Sequence, residues 1–149
     1  MTLVFTFPGQ SSRDPEMVSR AFTMASDVAT EVFAEASEVL DRDLVRHYTG
    51  DHGARFRSNR DIQLGVFLVN HVHLRALEQA GISAEFSLGL SLGEYNHLVH
   101  IGALGFADAL RVVDERGRLY SEGPAGVMAA IFPIEAEQLE RILAESSAV

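Results

Sequence analysis

The sequence contains no cysteine and no lysine among its 149 residues, so all twelve of its basic side chains are arginines. The absence of cysteine excludes a disulfide framework, a thiolate nucleophile and a zinc site built on cysteine. The absence of lysine excludes Schiff-base chemistry, pyridoxal phosphate bound through lysine and the phosphate-binding lysine of a P-loop. A nucleophile in this chain must therefore be a side chain of another type.

Positive charge is scarce as well, because 21 acidic residues outnumber the twelve arginines and give a formal net charge of -9. An acidic balance argues against a nucleic-acid partner, which usually meets a basic face. No apolar run approaches the roughly 20 residues of a transmembrane helix, and the N-terminus lacks the basic and long apolar regions of a signal peptide. Hydrophobic residues make up 47% of the chain, as in globular domains. We expect a soluble, cytoplasmic protein without a membrane partner.

Apolar and β-branched runs alternate with segments of helical periodicity along the chain. The runs predict strands over residues 3–7, 84–88 and 127–132, and the polar segment 49–59 predicts a surface loop. The first predicted helix has Ser26 or Asp27 as its N-cap. Periodicity and terminal glycines predict helices over residues 27–40, 60–80, 94–101, 106–122 and 135–145. This alternation indicates an α/β fold with a mainly parallel sheet.

Gly123-Pro124 interrupts this pattern and marks the one plausible domain boundary. Residues 124–149 contain one predicted strand and one predicted helix, which are too few to bury their own apolar faces. We therefore expect residues 1–123 to form the main module and residues 124–149 to form the beginning of a second, incomplete one.

The segment Gly89-Leu90-Ser91-Leu92-Gly93 fits the G-x-S-x-G pattern, with a predicted strand before it and a predicted helix after it. Such a turn holds the serine hydroxyl beside the free N–H groups and the positive dipole end of the helix. Ser91 is therefore the candidate nucleophile, and the backbone N–H of Leu92 is the first candidate oxyanion donor. The alternative is a glycine-serine turn without chemistry.

The second oxyanion donor should come from a loop at the same edge of the sheet, because open α/β sheets bind ligands at the carboxyl ends of their strands. The loop Phe7-Pro8-Gly9-Gln10 leaves the first predicted strand at that end, and the backbone N–H of Gln10 is the candidate. The alternative is that Pro8-Gly9 only turns the chain.

A serine nucleophile needs a base, which in this arrangement is usually a histidine later in the chain. His97 and His100 follow Ser91, but both lie on the predicted helix that begins at the turn. His97 is roughly 9 Å along the helix axis from the serine, at 1.5 Å per residue, so we expect neither histidine to reach the hydroxyl. These histidines lack the acidic motif of a metal site, and we predict no metal. The base is missing from this chain.

Arg116 lies on the apolar face of the helix predicted over residues 106–122, where an unpaired charge is costly. No acidic residue stands three or four positions away from it on that helix. Spacing alone favours a snorkelling arginine or an ion pair with a distant acid, and it leaves open a bidentate contact with a substrate carboxylate.

Four motifs occur in the following order along the chain: Phe7-Pro8-Gly9-Gln10, Gln63, Gly89-Leu90-Ser91-Leu92-Gly93-Glu94-Tyr95 and Arg116-Gly117. Together they resemble the malonyl-CoA:acyl-carrier-protein transacylase family, whose stand-alone members serve bacterial fatty acid and polyketide synthases. The similarity extends through essentially all of the chain.

This resemblance implies a ping-pong transfer in which Ser91 takes a malonyl-type group from a coenzyme A thioester and passes it to the phosphopantetheine thiol of an acyl carrier protein. The coenzyme A thioester is a substrate, and no permanently bound cofactor is implied. Gln10 and Leu92 would supply the oxyanion N–H groups, Arg116 would bind the free carboxylate, and Gln63 would order the pocket.

The resemblance also implies an α/β-hydrolase-like large subdomain, with residues 124–149 beginning a small ferredoxin-like one. Family members are about twice as long, and their catalytic histidine lies in the half that this chain lacks. A second chain or the missing C-terminal half would supply it. Two positions depart from the family pattern, because Leu90 replaces the usual histidine and Ser11-Ser12-Arg13 replaces Gly-Ser-Gln.

Two alternatives to acyl transfer remain open at this point. Leu90 weakens the preference for transfer over an acyl-carrier-protein hydrolase of the same family, in which water accepts the acyl group. The missing histidine also allows a catalytically incomplete docking fragment that pairs with another chain.

Overall fold

A computed structural model describes residues 2–50, 56–124, 126 and 133–145. A 3-10 turn, Gln10–Ser12, follows the first strand. The strands and helices in chain order are β1 (Val4–Phe7), α1 (Met17–Met24), α2 (Ser26–Leu40), α3 (Leu44–Thr49), α4 (Asn59–Gln79), β2 (Phe86–Gly89), α5 (Gly93–His100), α6 (Phe106–Glu122) and α7 (Ala136–Glu145).

The structure confirms the helices with strong apolar periodicity and the two strands that lie in the described residues. Two short helices, α1 and α3, were not predicted. The predicted N-cap of α2 is wrong, because the chain turns at Ala25, which ends α1 and caps α2 without a side-chain hydrogen bond. The predicted loop 49–59 is shorter, since α3 includes Thr49 and α4 begins at Asn59. The strand predicted over residues 127–132 lies outside the described residues.

The strands β1 and β2 pair in parallel, with Val4 opposite Phe86 and Phe7 opposite Gly89. The parallel sheet expected from the alternation of strands and helices is therefore present as a two-stranded unit in the described part of the chain. Because both strands run in the same direction, their carboxyl ends lie at one edge. The loop after Phe7 and the turn after Gly89 consequently meet there.

The helix α4 lies at the centre of the molecule and packs against α1, α2, α5 and α6. The early part of α4 is apolar on nearly every side, as expected of a helix surrounded by others. Leu64, Phe67 and Leu68 are fully buried, and they meet Leu110 and Val113 of α6 in the same apolar core.

Two buried amides connect this core to the loop after β1. The Asn70 Nδ2 of α4 donates to the Pro8 carbonyl oxygen and to Asn96 Oδ1 of α5, both at 3.1 Å. Asn96 Nδ2 in turn donates to the Phe67 carbonyl oxygen at 3.0 Å. Buried polar groups that are satisfied in this way fix the relative positions of the elements that carry them.

Across the described ranges, no helix is both long and apolar enough to cross a bilayer. No group of three or more histidine or acidic side chains in those ranges is arranged to hold a metal ion.

Candidate functional site

Ser91 occupies a sharp turn between β2 and α5, with a left-handed backbone conformation at φ = 53°. The Leu90 N–H donates to the Phe7 carbonyl oxygen of β1 at 2.9 Å, and the Gly93 N–H donates to the Leu90 carbonyl oxygen at 2.9 Å. A positive φ is uncommon for serine and needs support from its surroundings. These two hydrogen bonds hold the turn, and Ser91 remains exposed at its tip.

The two glycines of the motif allow the strand and the helix to approach each other closely. A Cβ atom on Gly89 would lie 2.2 Å from the backbone carbonyl of Gly93. A Cβ atom on Gly93 would lie 2.1 Å from the Phe7 carbonyl oxygen. Real Cβ atoms do not approach that closely, so both positions require glycine. The two glycines of the G-x-S-x-G motif are thus required by the close packing of strand, loop and helix as well as by the turn.

The loop after β1 lies directly against this turn. A Cβ atom on Gly9 would lie 2.7 Å from the Leu90 carbonyl oxygen and 3.6 Å from Ser91 Cβ. The next residue, Gln10, donates from Nε2 to Asn59 Oδ1 at 2.7 Å, which ties the loop to the first turn of α4. In the described part of the chain, no group accepts a hydrogen bond from the backbone N–H of Gln10 or of Leu92. Both predicted oxyanion donors therefore keep a backbone N–H available.

Arg116 reaches from α6 to the same place. Its Nη1 donates to Gln63 Oε1 of α4 at 2.5 Å. Its Nη2 lies 3.5 Å from Ser91 Oγ and 3.5 Å from the Tyr120 hydroxyl, and the guanidinium carbon stands 4.6 Å from the centre of the Tyr120 ring. No carboxylate of the described residues lies within 4.0 Å of it. The ion pair with a distant acid that spacing allowed is therefore not found in those residues.

Gln63 is fully buried beneath this arginine. Its Oε1 accepts the hydrogen bond from Arg116, whereas its buried Nε2 has no partner among the described residues. A buried amide without a partner costs free energy, and such groups call for a specific explanation. The side-chain amide of Gln63 thus has one hydrogen-bond donor to spare next to the arginine.

A groove of about 870 Å³ brings most of the predicted site residues together. This volume is within the usual range of ligand pockets. Its lining includes Gln10, Leu90, Ser91 and Arg116, while Gln63 is buried below and the Leu92 side chain points into the core. Leu90 is 68% exposed, so it presents an apolar surface to the groove beside the serine.

The histidines of α5 contact residues of the strands β1 and β2. The Nδ1 atoms of His97 and His100 lie 2.7 and 2.9 Å from Ser87 Oγ, and the Phe5 ring packs against His100. No histidine in the described ranges forms a hydrogen bond with Ser91. This placement agrees with the expectation that neither histidine on this helix reaches the serine.

Comparison with known proteins gives a consistent result. No family model matches the chain. It is 31% identical over 139 residues to a malonyl CoA-acyl carrier protein transacylase of Staphylococcus aureus strain MSSA476, and 33% identical over 143 residues to the one of Bacillus subtilis strain 168. The alignments cover 91% and 94% of this chain. The chain resembles the N-terminal half of the malonyl CoA-acyl carrier protein transacylases.

Solved transacylase structures agree with the sequence comparison. The structure from Clostridium perfringens superimposes with a TM-score of 0.80 at 30% identity, over 99% of this chain and 47% of that one. A malonyl-transacylase in complex with its type II polyketide synthase acyl-carrier protein gives a TM-score of 0.72 at 31% identity, over 80% of this chain and 38% of that one. The chain spans 44% and 45% of the lengths of the S. aureus and B. subtilis transacylases.

Several side chains that line the groove of this transacylase-like chain were not predicted as site residues, among them Arg13, Asn59, Tyr120 and Ser121. Tyr120 stands four residues after Arg116, so helical spacing could have placed it beside the arginine. Asn59 carries no local signal, since its contact with Gln10 joins residues 49 positions apart. Arg13 was noted only as a departure from the family pattern.

Proposed function

We propose that this chain carries the nucleophile and the acyl-binding side of a malonyl-CoA:acyl-carrier-protein transacylase. The observation that carries the proposal is the position of Arg116, 3.5 Å from Ser91 Oγ, without a carboxylate partner among the described residues. A cation held beside an exposed serine suits an acyl group that ends in its own carboxylate. The names of the related transacylases support the same chemistry, and one of them was solved with its acyl-carrier protein.

In the proposed reaction, Ser91 Oγ attacks the thioester carbon of malonyl-CoA, and its proton passes to a base. The carbonyl oxygen becomes an oxyanion that accepts hydrogen bonds from the backbone N–H groups of Gln10 and Leu92. Collapse of the tetrahedral intermediate expels the thiol of coenzyme A and leaves a malonyl ester on the serine. The phosphopantetheine thiol of an acyl carrier protein then attacks that ester and regenerates Ser91.

Arg116 would form the bidentate contact with the malonyl carboxylate, which its planar guanidinium fits. The hydrogen bond to Gln63 Oε1 fixes the guanidinium, and the unpartnered Nε2 of Gln63 offers a further donor beside it. Leu90 would line the acyl pocket with an apolar side chain. Acyl groups without a carboxylate would leave Arg116 unpaired and should react more slowly.

This mechanism needs a base that accepts the proton of Ser91, and no histidine among the described residues is placed to do so. We therefore propose that a further segment, either a longer form of this chain or a second chain, supplies it, because the chain spans less than half of its transacylase relatives. In the same proposal, residues 1–123 belong to an α/β-hydrolase-like subdomain with a nucleophile elbow at Ser91. Residues 124–149 begin a ferredoxin-like subdomain.

Intact-mass measurement after incubation with malonyl-CoA tests the proposal directly. Because no base for Ser91 is found among the described residues, we expect a malonyl adduct that forms slowly on the wild-type chain. The adduct should be lost in Ser91→Ala and retained in Ser121→Ala, which removes another hydroxyl from the same groove. Acetyl-CoA should give less adduct than malonyl-CoA, and Arg116→Ala should abolish that difference. An adduct that persists in Ser91→Ala would refute the assignment of the nucleophile.

Adding a holo acyl carrier protein to the malonylated chain separates transfer from hydrolysis. Transfer predicts malonyl-carrier as the product, whereas a hydrolase would release free malonate.

A further inference from the structure

Arg13 is a second arginine that lines the groove of Ser91, and the proposed acyl transfer does not use it. It follows the 3-10 turn that begins at Gln10, and its side chain is exposed. Within the described ranges no aspartate or glutamate lies within 4.0 Å of its guanidinium. Arg13 is therefore a cation at the site whose charge is not matched by a neighbouring acid of those ranges.

Arg13 differs in this respect from half of the twelve arginines in the chain, whose net charge is -9. Six of them lie within 4.0 Å of a carboxylate, namely Arg20, Arg42, Arg60, Arg75, Arg111 and Arg118. Arg13 and Arg116 have no such partner in the described residues, and both line the same groove. An acidic protein repels anions at long range, so unpaired cations in one groove mark the place where an anionic ligand is favoured.

The two arginines cannot serve the same anionic group equally well. Arg116 is held by Gln63 next to Ser91, where the acyl carboxylate must lie in the proposed function. Arg13 stands on a separate loop and is free to meet a second negative group on the same ligand. The groove of about 870 Å³ leaves room for more than a malonyl group.

We propose that Arg13 binds a phosphate group on the pantetheine arm of the thioester that enters the groove. The phosphopantetheine arm carries its sulfur at one end and a phosphate at the other, so a thioester at Ser91 brings a phosphate with it. Arginine suits phosphate because its planar fork donates two parallel hydrogen bonds. This inference rests on the proposed function for the identity of the arm. The phosphate has two sources with the same chemistry, coenzyme A and the phosphopantetheine of a carrier protein.

Calorimetric titration of the chain with four thiols tests the proposal and separates these sources. The thiols are coenzyme A, dephospho-coenzyme A, phosphopantetheine and pantetheine, of which the last has no phosphate. The variant is Arg13→Gln. The matched control is Arg46→Gln, which removes the same charge from an exposed arginine on α3 that does not line the groove.

We expect Arg13→Gln to weaken the binding of coenzyme A about fivefold to tenfold, in line with the loss of one charge-assisted contact. Pantetheine should bind both proteins equally, and Arg46→Gln should behave like the wild type. An equal loss for phosphopantetheine places the contact at the phosphate that donor and acceptor share. A loss confined to coenzyme A, and absent for dephospho-coenzyme A and phosphopantetheine, would place the contact on the nucleotide and would contradict the proposal.

Three further results would overturn the proposal: no binding of coenzyme A to the wild type, an equal loss for pantetheine in Arg13→Gln, or the same loss in Arg46→Gln. The proposed function fails separately. If Arg13 governs phosphate binding but malonyl-CoA leaves no adduct on Ser91, the phosphate site stands and the acyl transfer does not.

Discussion

His71 should make the stability of this protein depend on pH, although it lies away from Ser91. His71 is 3% exposed on α4, and its ring packs against Phe67 and Phe106, whose ring centres lie 6.4 and 4.3 Å away. Burial, with a smaller contribution from the charge of Arg75, lowers the pKa of His71 from 6.5 to about 4. The folded state thus resists protonation that the unfolded chain accepts.

The sign of the effect follows from proton linkage. Between pH 6.5 and pH 4 the unfolded chain binds the proton at this residue and the folded protein does not, so the free energy of unfolding falls as the pH falls. For these two pKa values the loss between pH 7.5 and pH 5 is about 2 kcal/mol. Above pH 7.5 the contribution of His71 to the pH dependence is nearly zero.

The substitution His71→Phe keeps an aromatic ring in this cluster and removes the titrating group. It also removes Nδ1 of His71, which is buried without a partner in the described part of the chain. Urea unfolding followed by circular dichroism at pH 5 and at pH 7.5 measures the difference. We expect the variant to lose about 2 kcal/mol less than the wild type over this interval. If the free energy of unfolding falls equally in both proteins between pH 7.5 and pH 5, His71 is not the source of the pH dependence.

Three further predictions concern the site and the helix packing that supports it. Gly93→Ala should lower the free energy of unfolding by at least about 2 kcal/mol, because its Cβ would lie 2.1 Å from the Phe7 carbonyl oxygen. The control is Gly105→Ala, whose Cβ would meet only a side-chain atom at 3.9 Å and which should lower the free energy of unfolding by about 0.5 kcal/mol or less. Equal losses of stability in the two variants would contradict the packing argument. Asp114→Asn should lower the free energy of unfolding by about 1 to 2 kcal/mol, because Arg60 and Arg42 both donate to that carboxylate. An unchanged midpoint of urea unfolding would show that these ion pairs contribute nothing to stability. Gln63→Leu should reduce the preference of Ser91 for malonyl-CoA over acetyl-CoA about tenfold, because Arg116 loses the hydrogen bond that positions it. Competition between the two thioesters measures this preference, and an unchanged ratio would show that Gln63 does not position Arg116.

The sequence predicted those parts of the fold whose signals are local. The α6 helix has the predicted bounds, since a glycine precedes it and Gly123-Pro124 ends it. The α1 helix was missed because it is eight residues long and only Ala25 separates it from α2, so no turn signal divides the two. The six-residue α3 is too short for periodicity, although Asp43 caps it by accepting a hydrogen bond from the Arg46 N–H.

The same distinction applies to the candidate site, where residues close in sequence could be predicted and contacts between distant residues could not. The turn at Ser91 could be predicted because its strand, glycines and helix are consecutive in the sequence. The partner of Arg116 could not be derived from spacing, since Gln63 lies 53 residues away on another helix. Only the resemblance to a known family assigned both residues to one pocket, and the structure shows the hydrogen bond that joins them.

Two separate packing systems meet at the groove, and they control different parts of the proposed chemistry. The pairing of β1 with β2 sets Gln10 beside Ser91 and therefore governs attack and oxyanion binding. The pairing of α4 with α6 sets Arg116, because a Cβ on Gly117 would lie 2.6 Å from Arg60 Cα and the Arg60 side chain donates to Asp114. The close approach and the ion pair fix the offset of the two helices within one turn of Arg116. A change confined to the helix pair should therefore alter which acyl group is selected before it alters the reactivity of the serine, whereas a change at the strand pair should do the reverse.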